Sequence, residues 1–183
     1  MKKRVLMVFG TRPEAIKMAT LALSLKRNKD INFKICITSQ HTKMLAQVMN
    51  FFKIKADYDL KVMKKAQSLS SLTSRIILKL EPIFEKFKPD LVMVHGDTST
   101  TLASSLSAYY HQTKICHIEA GLRTHNKYSP WPEEMNRNLV GSLADLNFAP
   151  TESSKNNLLK EGVKSKDIHV VGNTVIDALK MTI

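Results

Sequence analysis

Two positively charged side chains stand at the start of the first predicted helix. A short apolar run, typical of a buried strand, leads into Gly10-Thr-Arg-Pro-Glu-Ala-Ile-Lys17. Thr11 and Glu14 have the spacing of a capping box, so helix capping alone accounts for Glu14. Arg12 and Lys17 oppose the helix dipole unless an anion lies nearby, and we therefore expect this turn to bind an anionic ligand. The turn lacks Gly-x-Gly-x-x-Gly and Gly-Lys-Ser/Thr, which argues against a dinucleotide loop and a P-loop.

Carboxylates follow two later apolar runs. Asp97 lies in His95-Gly-Asp-Thr98, before a predicted helix, and its position fits either an N-cap or a catalytic group. Glu119 lies in His117-Ile-Glu-Ala-Gly-Leu-Arg-Thr124. A carboxylate that leaves a buried strand is unfavourable unless it is paired or solvated in a cleft, so Glu119 is a candidate site residue. Arg123 is interpreted as its ion-pair partner.

A further pair of carboxylates begins the segment Ser129-Pro-Trp-Pro-Glu-Glu-Met-Asn-Arg137, which predicts a proline-initiated helix. Glu133 and Glu134 fall in its first turn, where carboxylates suit the helix dipole. Glu133 also has the i,i+4 spacing for an ion pair with Arg137. Helix stability alone explains this segment. Acids and cations at successive loop-to-helix junctions nevertheless predict a shared site.

The elements that must position these groups alternate along the chain. Runs rich in Val, Ile or Phe predict the strands Val5–Phe9, Phe33–Thr38, Leu91–His95, Ile115–Ile118 and Ile168–Val171. Three-to-four spacing between them, as in Leu72–Phe87, predicts helices. The alternation predicts an α/β fold, a Rossmann-like parallel sheet with helices on both faces. Ligands of such sheets bind outside the carboxyl ends of the strands, where the charged junctions should lie.

Length and composition restrict the class of protein. A chain of 183 residues with 43% apolar content predicts one domain with a sizeable core. The net charge of +12 comes with lysines dispersed through helices, which predicts a solvated basic surface and no nucleic-acid face. Cys36 and Cys116 fall in predicted strands and should be reduced and structural. No apolar stretch is long enough to span a bilayer, so we expect a soluble protein with no membrane partner.

Taken together, the sequence resembles the bacterial non-hydrolysing UDP-N-acetylglucosamine 2-epimerases. The matching segments are Gly10–Met18, Gln40-His41, His95–Thr98, His117–Thr124, Pro130–Arg137 and Gly172–Asp177. They occur in order over nearly the whole chain, which makes the resemblance more specific than any one motif. It implies the N-terminal half of a glycosyltransferase-B-like two-domain fold. Residues 1–172 would form the N-terminal Rossmann-like domain and residues 173–183 the start of the interdomain linker, without the C-terminal nucleotide-binding domain.

The resemblance also implies a reaction. Members of the family interconvert UDP-GlcNAc and UDP-ManNAc in the cytoplasm, for surface polysaccharide synthesis. UDP is eliminated in an anti sense to give a bound 2-acetamidoglucal, and is then added back with the opposite configuration at C2 of the sugar. This chemistry needs an acid and a base but no redox cofactor, and no metal ligands are implied.

Site roles follow from the same resemblance. The implied catalytic residues are Asp97, Glu119 and Glu133, and the implied substrate-binding residues are Arg12, Lys17 and Arg137. Gln40, His41 and Gln67 correspond to positions near an allosteric UDP-GlcNAc site in some bacterial members. Considered alone, Gln40 and His41 predict only the start of a helix.

Two expectations concern assembly and activity. Relatives are usually dimers, so a homodimer is expected. The isolated chain should be inactive, because half of a cleft lacks binding contacts and the closure that excludes water. The alternative is a non-catalytic sugar-nucleotide-binding or regulatory module, and a polyanion binder is supported only by net charge.

Overall fold

A sheet of parallel strands forms the centre of the molecule. The structure is a computed structural model that describes residues 2–39 and 42–182. Within those residues, seven strands pair in parallel: β1 (Lys3–Phe9), β2 (Ile31–Ile37), β3 (Tyr58–Asp59), β4 (Leu91–His95), β5 (Lys114–Ile118), β6 (Leu146–Ala149) and β7 (Ile168–Val170). Their order across the sheet is β3-β2-β1-β4-β5-β6-β7. The chain runs outward from β1 to β3 and then crosses to β4, so a crevice opens at the carboxyl ends of β1 and β4.

Helices cover both faces of this sheet, as predicted. They are α1 (Arg12–Arg27), α2 (Thr42–Phe51), α3 (Leu69–Phe87), α4 (Ser99–Tyr110), α5 (Glu133–Leu143), α6 (Glu152–Lys160) and α7 (Thr174–Lys180). Residues of α1, α2 and α7 belong to one large apolar core, and residues of α3, α4 and α5 belong to a second, while Leu158 of α6 lies in a smaller third cluster. Because β1 lies in the middle, its successive side chains enter opposite cores: Met7 joins the first and Leu6 the second. Its continuous apolar run is therefore the signature of a strand buried on both faces.

The five predicted strands are present, and two strands were not predicted. β3 has two residues, Tyr58 and Asp59, too few for a periodic signal. β6 has the sequence Leu-Asn-Phe-Ala, in which fully buried Asn147 interrupts the apolar run. In both cases the pairing partner in the sheet defines the strand more than its own residues do.

The last described segment is helical. α7 packs against α1, and Ala178 is buried in the same core as Ala15 and Met18 of α1. The expected beginning of a linker thus contains an ordered helix, while the domain boundary after residue 172 stays a prediction. No helix in the described ranges is long and apolar enough to cross a membrane.

Both cysteines are free and buried, as predicted. Burial raises the pKa of the Cys36 thiol, and it raises the pKa of Cys116 to about 12. Both thiols therefore stay protonated and pack as small apolar side chains.

Candidate active site

Four ionised side chains and one neutral histidine, from five different segments, meet at the carboxyl edge of the sheet. We call Lys17, His95, Asp97, Glu119 and Arg137 the carboxyl-edge cluster. They come from α1, the end of β4, the turn after it, the turn after β5 and α5, respectively. The sequence predicted that these junctions share one site because the carboxyl ends of parallel strands lie at the same edge of a sheet. The ion pairs described below give the geometry of the side chains at that edge.

Lys17 and Glu119 form the first ion pair. The ammonium nitrogen of Lys17 lies 2.6 Å and 2.8 Å from the two carboxylate oxygens of Glu119. The Asn173 side-chain amide donates to the same carboxylate at 3.2 Å. The backbone of Glu119 has φ +63°, in the left-handed region that side-chain-bearing residues rarely adopt. Strained backbone of this kind concentrates at functional sites.

Asp97 and Arg137 form the second ion pair, with 2.8 Å between Oδ2 and Nη2. Thr98, and not Asp97, is the N-cap of α4, since its side chain accepts from the amide of Thr101. The N-cap interpretation of Asp97 was therefore wrong, and its carboxylate is free to face the cleft. Asn136 fixes the Asp97 backbone by donating to its carbonyl at 2.8 Å.

The environment of Asp97 favours its neutral form. Burial raises the pKa of Asp97, and the nearby charges of Glu133 and Glu119 act in the same direction. Arg137 opposes them but does not reverse the shift. The charged form of Asp97 is thus less favoured than that of an ordinary aspartate, even beside a guanidinium.

Glu133 and Glu134 lie in the first turn of α5, as predicted, but have different partners. The guanidinium of Arg137 contacts the backbone carbonyl of Glu133 at 3.4 Å, not its carboxylate, so the predicted i,i+4 ion pair was wrong. Glu134 is 1% exposed and accepts hydrogen bonds from the amides of Thr124 and His125. Burial acts to raise the pKa of Glu134, but these amides together with Arg137 outweigh it and hold the pKa below its usual value.

Arg123 does not pair with Glu119. Its guanidinium makes a bidentate pair with Glu161, with both N–O distances 2.7 Å, and its side chain is 1% exposed. The predicted partnership was wrong because Lys17, 102 positions away in the chain, occupies that place. Arg123 instead joins the loop after β5 to the end of α6.

Glu14 has the structural role that its spacing predicted. It is 2% exposed, and one carboxylate oxygen accepts from the amides of Gly10 and Thr11 at 3.0 Å and 2.7 Å. The other oxygen accepts from the hydroxyl of Thr98 at 2.8 Å, which joins the starts of α1 and α4. Gly10 is required here because an added Cβ would collide with the hydroxyl oxygens of Thr38 and Thr100.

Two buried histidines of this edge were not predicted as site residues. His95 ends β4, 3% exposed, with Nε2 3.7 Å from Oε2 of Glu119. His117 in β5 is fully buried, and its Nε2 donates to the carbonyl of Gly96 at 2.7 Å. Burial lowers the pKa of His95 to about 3 and that of His117 to about 4, so both rings are neutral. The signal in the sequence that could have identified them is a histidine within an otherwise apolar run that predicts a buried strand.

The remaining predicted residues lie apart from the carboxyl-edge cluster. Arg12 is exposed in the first turn of α1, and its guanidinium has no ion pair among the described side chains. Gln67 lies between β3 and α3, where its side-chain oxygen accepts from Arg75 at 2.7 Å. Gln40 and His41 lie outside the described residues. Among the described residues, no group of three His, Cys, Asp or Glu side chains is arranged to hold a metal ion.

Comparisons with known proteins show the family of the chain. A family profile described as UDP-N-acetylglucosamine 2-epimerase matches residues 23–183. The UDP-N-acetylglucosamine 2-epimerase of Neisseria meningitidis is 58% identical over 180 residues, which cover 98% of this chain and 48% of the relative. That of Bacillus subtilis is 55% identical over 182 residues, which cover 100% of this chain and 48% of the relative. The chain therefore spans about half the length of the curated relatives it matches.

Solved structures resemble nearly the whole chain. A crystal structure of UDP-GlcNAc 2-epimerase from Neisseria meningitidis bound to UDP-GlcNAc has a TM-score of 0.96 at 58% identity, covering 98% of this chain and 48% of that one. A lipopolysaccharide outer core galactosyltransferase, 14% identical with a TM-score of 0.67 over 93% of this chain and 45% of that one, shares the fold alone. These findings confirm the Rossmann-like, glycosyltransferase-B-like fold predicted from the sequence. The chain belongs to the UDP-N-acetylglucosamine 2-epimerase family.

Proposed function

We propose that this chain supplies the sugar-facing acid and base groups of a UDP-GlcNAc 2-epimerase. The reaction would interconvert UDP-GlcNAc and UDP-ManNAc by elimination and re-addition of UDP. One observation carries the proposal: the Lys17–Glu119 and Arg137–Asp97 ion pairs, 2.6 Å and 2.8 Å long, meet at the edge of the sheet where such folds bind ligands.

Epimerisation at C2 needs one group that removes a proton and one that provides a proton to the opposite face. Carboxyl groups in different environments can divide these tasks, because environment determines which of them keeps a proton. The raised pKa of Asp97 disposes it to carry a proton, whereas Glu119 is paired with the ammonium of Lys17. Glu133 is the third proposed carboxylate, and its charge acts on Asp97.

The proposed substrate-binding groups are cations. Elimination releases UDP, and negative charge grows on its phosphate oxygens as the bond to the sugar breaks. Arg12 is suited to this charge, since it is exposed in the first turn of α1, the helix that carries Lys17, and has no ion-pair partner in the described part of the chain. Lys17 and Arg137 would hold the carboxylates in place and contact the substrate from the other side. The UDP-GlcNAc named with the Neisseria structure supports this choice of ligand.

A reconstituted enzyme tests the proposal directly. The 183 residues would be continued into the second half of the Bacillus subtilis relative, and UDP-GlcNAc would be incubated with the product in deuterium oxide. We expect UDP-ManNAc to form, with deuterium at C2, because the proton removed exchanges with solvent before the return step. If a folded, full-length protein that binds UDP-GlcNAc gave neither product nor exchange, catalysis would be refuted.

Matched variants assign the residues. Asp97→Asn and Glu119→Gln should abolish turnover, whereas Asp90→Asn, at the opposite edge of the sheet, should not. The 183-residue chain alone should be inactive. The non-catalytic binding module would be favoured by a different result: no turnover in the reconstituted parent, together with sugar-nucleotide binding of equal affinity in the parent and the two variants.

Three finer features belong to the same proposal. A homodimer, a cytoplasmic location and a role in surface polysaccharide synthesis follow from the family resemblance. Sedimentation analysis of the reconstituted protein tests the first. Fractionation of cells that express it tests the second, and loss of a ManNAc-containing polymer on deletion tests the third.

A further inference from the structure

His95 contains a buried polar atom that the proposed function leaves unused. Its side chain is 4% exposed, and Nε2 has no hydrogen-bond partner among the described residues. Buried polar atoms are nearly always paired, so an unpaired one at the edge of a site calls for a physical explanation. The atom lies 3.7 Å from Oε2 of Glu119, another member of the carboxyl-edge cluster.

The protonation of the ring determines what Nε2 can do. Burial, and after it the charge of Lys17, lowers the pKa of His95 to about 3, so the neutral ring carries one proton. The backbone carbonyl of His95 itself favours a proton on the ring, and Nδ1 is the ring nitrogen nearer to the backbone. The hydrogen bond made by one ring nitrogen sets the state of the other. Nδ1 therefore holds the proton, and Nε2 presents a lone pair to Glu119.

A lone pair and a carboxylate oxygen do not attract each other. The distance of 3.7 Å is beyond hydrogen-bond length, as expected when both atoms are acceptors. The same oxygen already accepts from Lys17 at 2.6 Å and from Asn173 at 3.2 Å. A single proton placed on Oε2 would change this contact from two acceptors into a donor and an acceptor.

We propose that His95 is a positioning residue for the protonated form of Glu119, whose carboxylic acid donates a hydrogen bond to Nε2. The proposal rests on the acid/base role proposed for Glu119, which requires that residue to carry a proton for part of the cycle. While Glu119 is ionised, Lys17 and Asn173 hold it. Once it is protonated, His95 provides the acceptor that keeps the proton-bearing oxygen oriented.

His117 provides an internal comparison. Its Nε2 donates to the Gly96 carbonyl and must therefore be protonated, and its buried Nδ1 has no hydrogen-bond partner among the described residues. The two neutral histidines of neighbouring strands should therefore be opposite tautomers. This contrast can be observed in one NMR spectrum, without substrate.

The experiment measures the imidazole nitrogens of the 183-residue chain by heteronuclear NMR near neutral pH. In the parent, we expect Nε2 of His95 to have the shift of an unprotonated nitrogen without a hydrogen bond, and Nε2 of His117 that of a protonated one. Glu119→Gln places an amide donor where the carboxylic acid would be. It should move the Nε2 resonance of His95 toward the shift of a hydrogen-bonded acceptor and leave His117 unchanged.

Glu119→Ala is the matched control, since it removes the carboxylate without adding a donor, and should leave the Nε2 resonance of His95 in the unbonded range. A crystal structure of Glu119→Gln should show the contact shortened from 3.7 Å to about 3 Å. A protonated Nε2 in the parent, or the same shift in Glu119→Gln as in Glu119→Ala, would overturn the proposal. If a variant does not fold, the protonation of Nε2 of His95 in the parent still tests the proposal. Because no nucleotide is used, these outcomes are separate from failure of the epimerase assay.

Discussion

The two edges of the sheet each contain an aspartate paired with an arginine, and the two pairs behave in opposite ways. At the amino edge, Arg4 of β1 binds Asp90 before β4, with 3.0 Å between the charged groups. At the carboxyl edge, Arg137 binds Asp97 at 2.8 Å. Hydrogen bonds from Arg4 lower the pKa of Asp90 to about 2, whereas burial raises the pKa of Asp97 in spite of Arg137.

This difference shows that the arginine partner alone does not determine the pKa of an aspartate. Asp90 is 35% exposed and receives both the guanidinium and the backbone amide of Arg4. Asp97 is 28% exposed, and burial is the main cause of its raised pKa, to which the charges of Glu133 and Glu119 add. The amino edge favours the charged form of Asp90, whereas the carboxyl edge disfavours the charged form of Asp97.

The largest expected difference between the two edges is in the effect of a substitution on kcat. In the reconstituted full-length protein, Asp97→Asn should lower kcat by about 10²–10⁴-fold, the range for loss of a general acid or base. Asp90→Asn should leave kcat within about twofold, because it touches no reacting group. Initial rates of UDP-ManNAc formation measure both. Equal losses in the two variants would mean that the edges do not differ in function.

The second prediction tests whether every carboxylate at the carboxyl edge has a catalytic role. Glu14 lies there but is buried under backbone amides and hydroxyls, so Glu14→Gln should lower the free energy of unfolding by about 1–3 kcal/mol. Glu133→Gln, in a partly exposed helix turn, should change it by no more than about 0.5 kcal/mol. Urea denaturation compares them, and equal stability would contradict the structural role of Glu14.

A smaller effect concerns cations. Arg12→Gln should raise KM for UDP-GlcNAc about tenfold, which corresponds to about 1.4 kcal/mol of binding. Its stability should not change, since the guanidinium has no ion pair among the described residues. Lys3→Gln, an exposed cation at the amino edge, is the control and should leave KM unchanged. If both substitutions raise KM alike, net charge and not position attracts the nucleotide.

The smallest effect is on stability, with opposite signs at the two edges. The folded pKa of Asp90 is below its unfolded value, so its contribution is present above about pH 4 and is lost as the pH falls toward 2. Asp90→Asn should cost about 0.2–1 kcal/mol at pH 7, since the pair is partly exposed, and almost nothing near pH 2.

At the other edge, the folded pKa of Asp97 is raised, so the stability linked to its proton is present at low pH and is lost as the pH rises through that value. Asp97→Asn, which stays neutral, should be at least as stable as the parent at pH 7. Thermal unfolding at several pH values measures both. A destabilised Asp97→Asn together with an unaffected Asp90→Asn would reverse the comparison.

The fold was largely predictable because its signals are local. Apolar runs and helical spacing located five strands and the parallel arrangement, since strands buried on both faces carry continuous apolar sequence. β3 and β6 escaped prediction because a two-residue strand and a strand with a buried asparagine depend on their neighbours in the sheet.

The sequence predicted which loops end at the carboxyl edge of the sheet, but it did not predict which side chains pair there. Fold rules placed Asp97 and Glu119 at one edge. The partners depend on three-dimensional distances, so Glu119 pairs with Lys17 and not Arg123, and Arg137 pairs with Asp97 and not Glu133. His95 and Asn173 were missed because nothing in their local sequence shows that the fold brings them to Glu119.

Asn173 gives the edge a mechanical property. Its side-chain oxygen accepts from the amide of Val175 in the first turn of α7, and its side-chain nitrogen donates to Glu119 at 3.2 Å. One side chain thus fastens the beginning of a helix to a charged group on a neighbouring loop. A displacement of that helix by about one ångström would stretch the contact past hydrogen-bond length. Force applied to α7 would therefore be transmitted to Glu119 through a single amide.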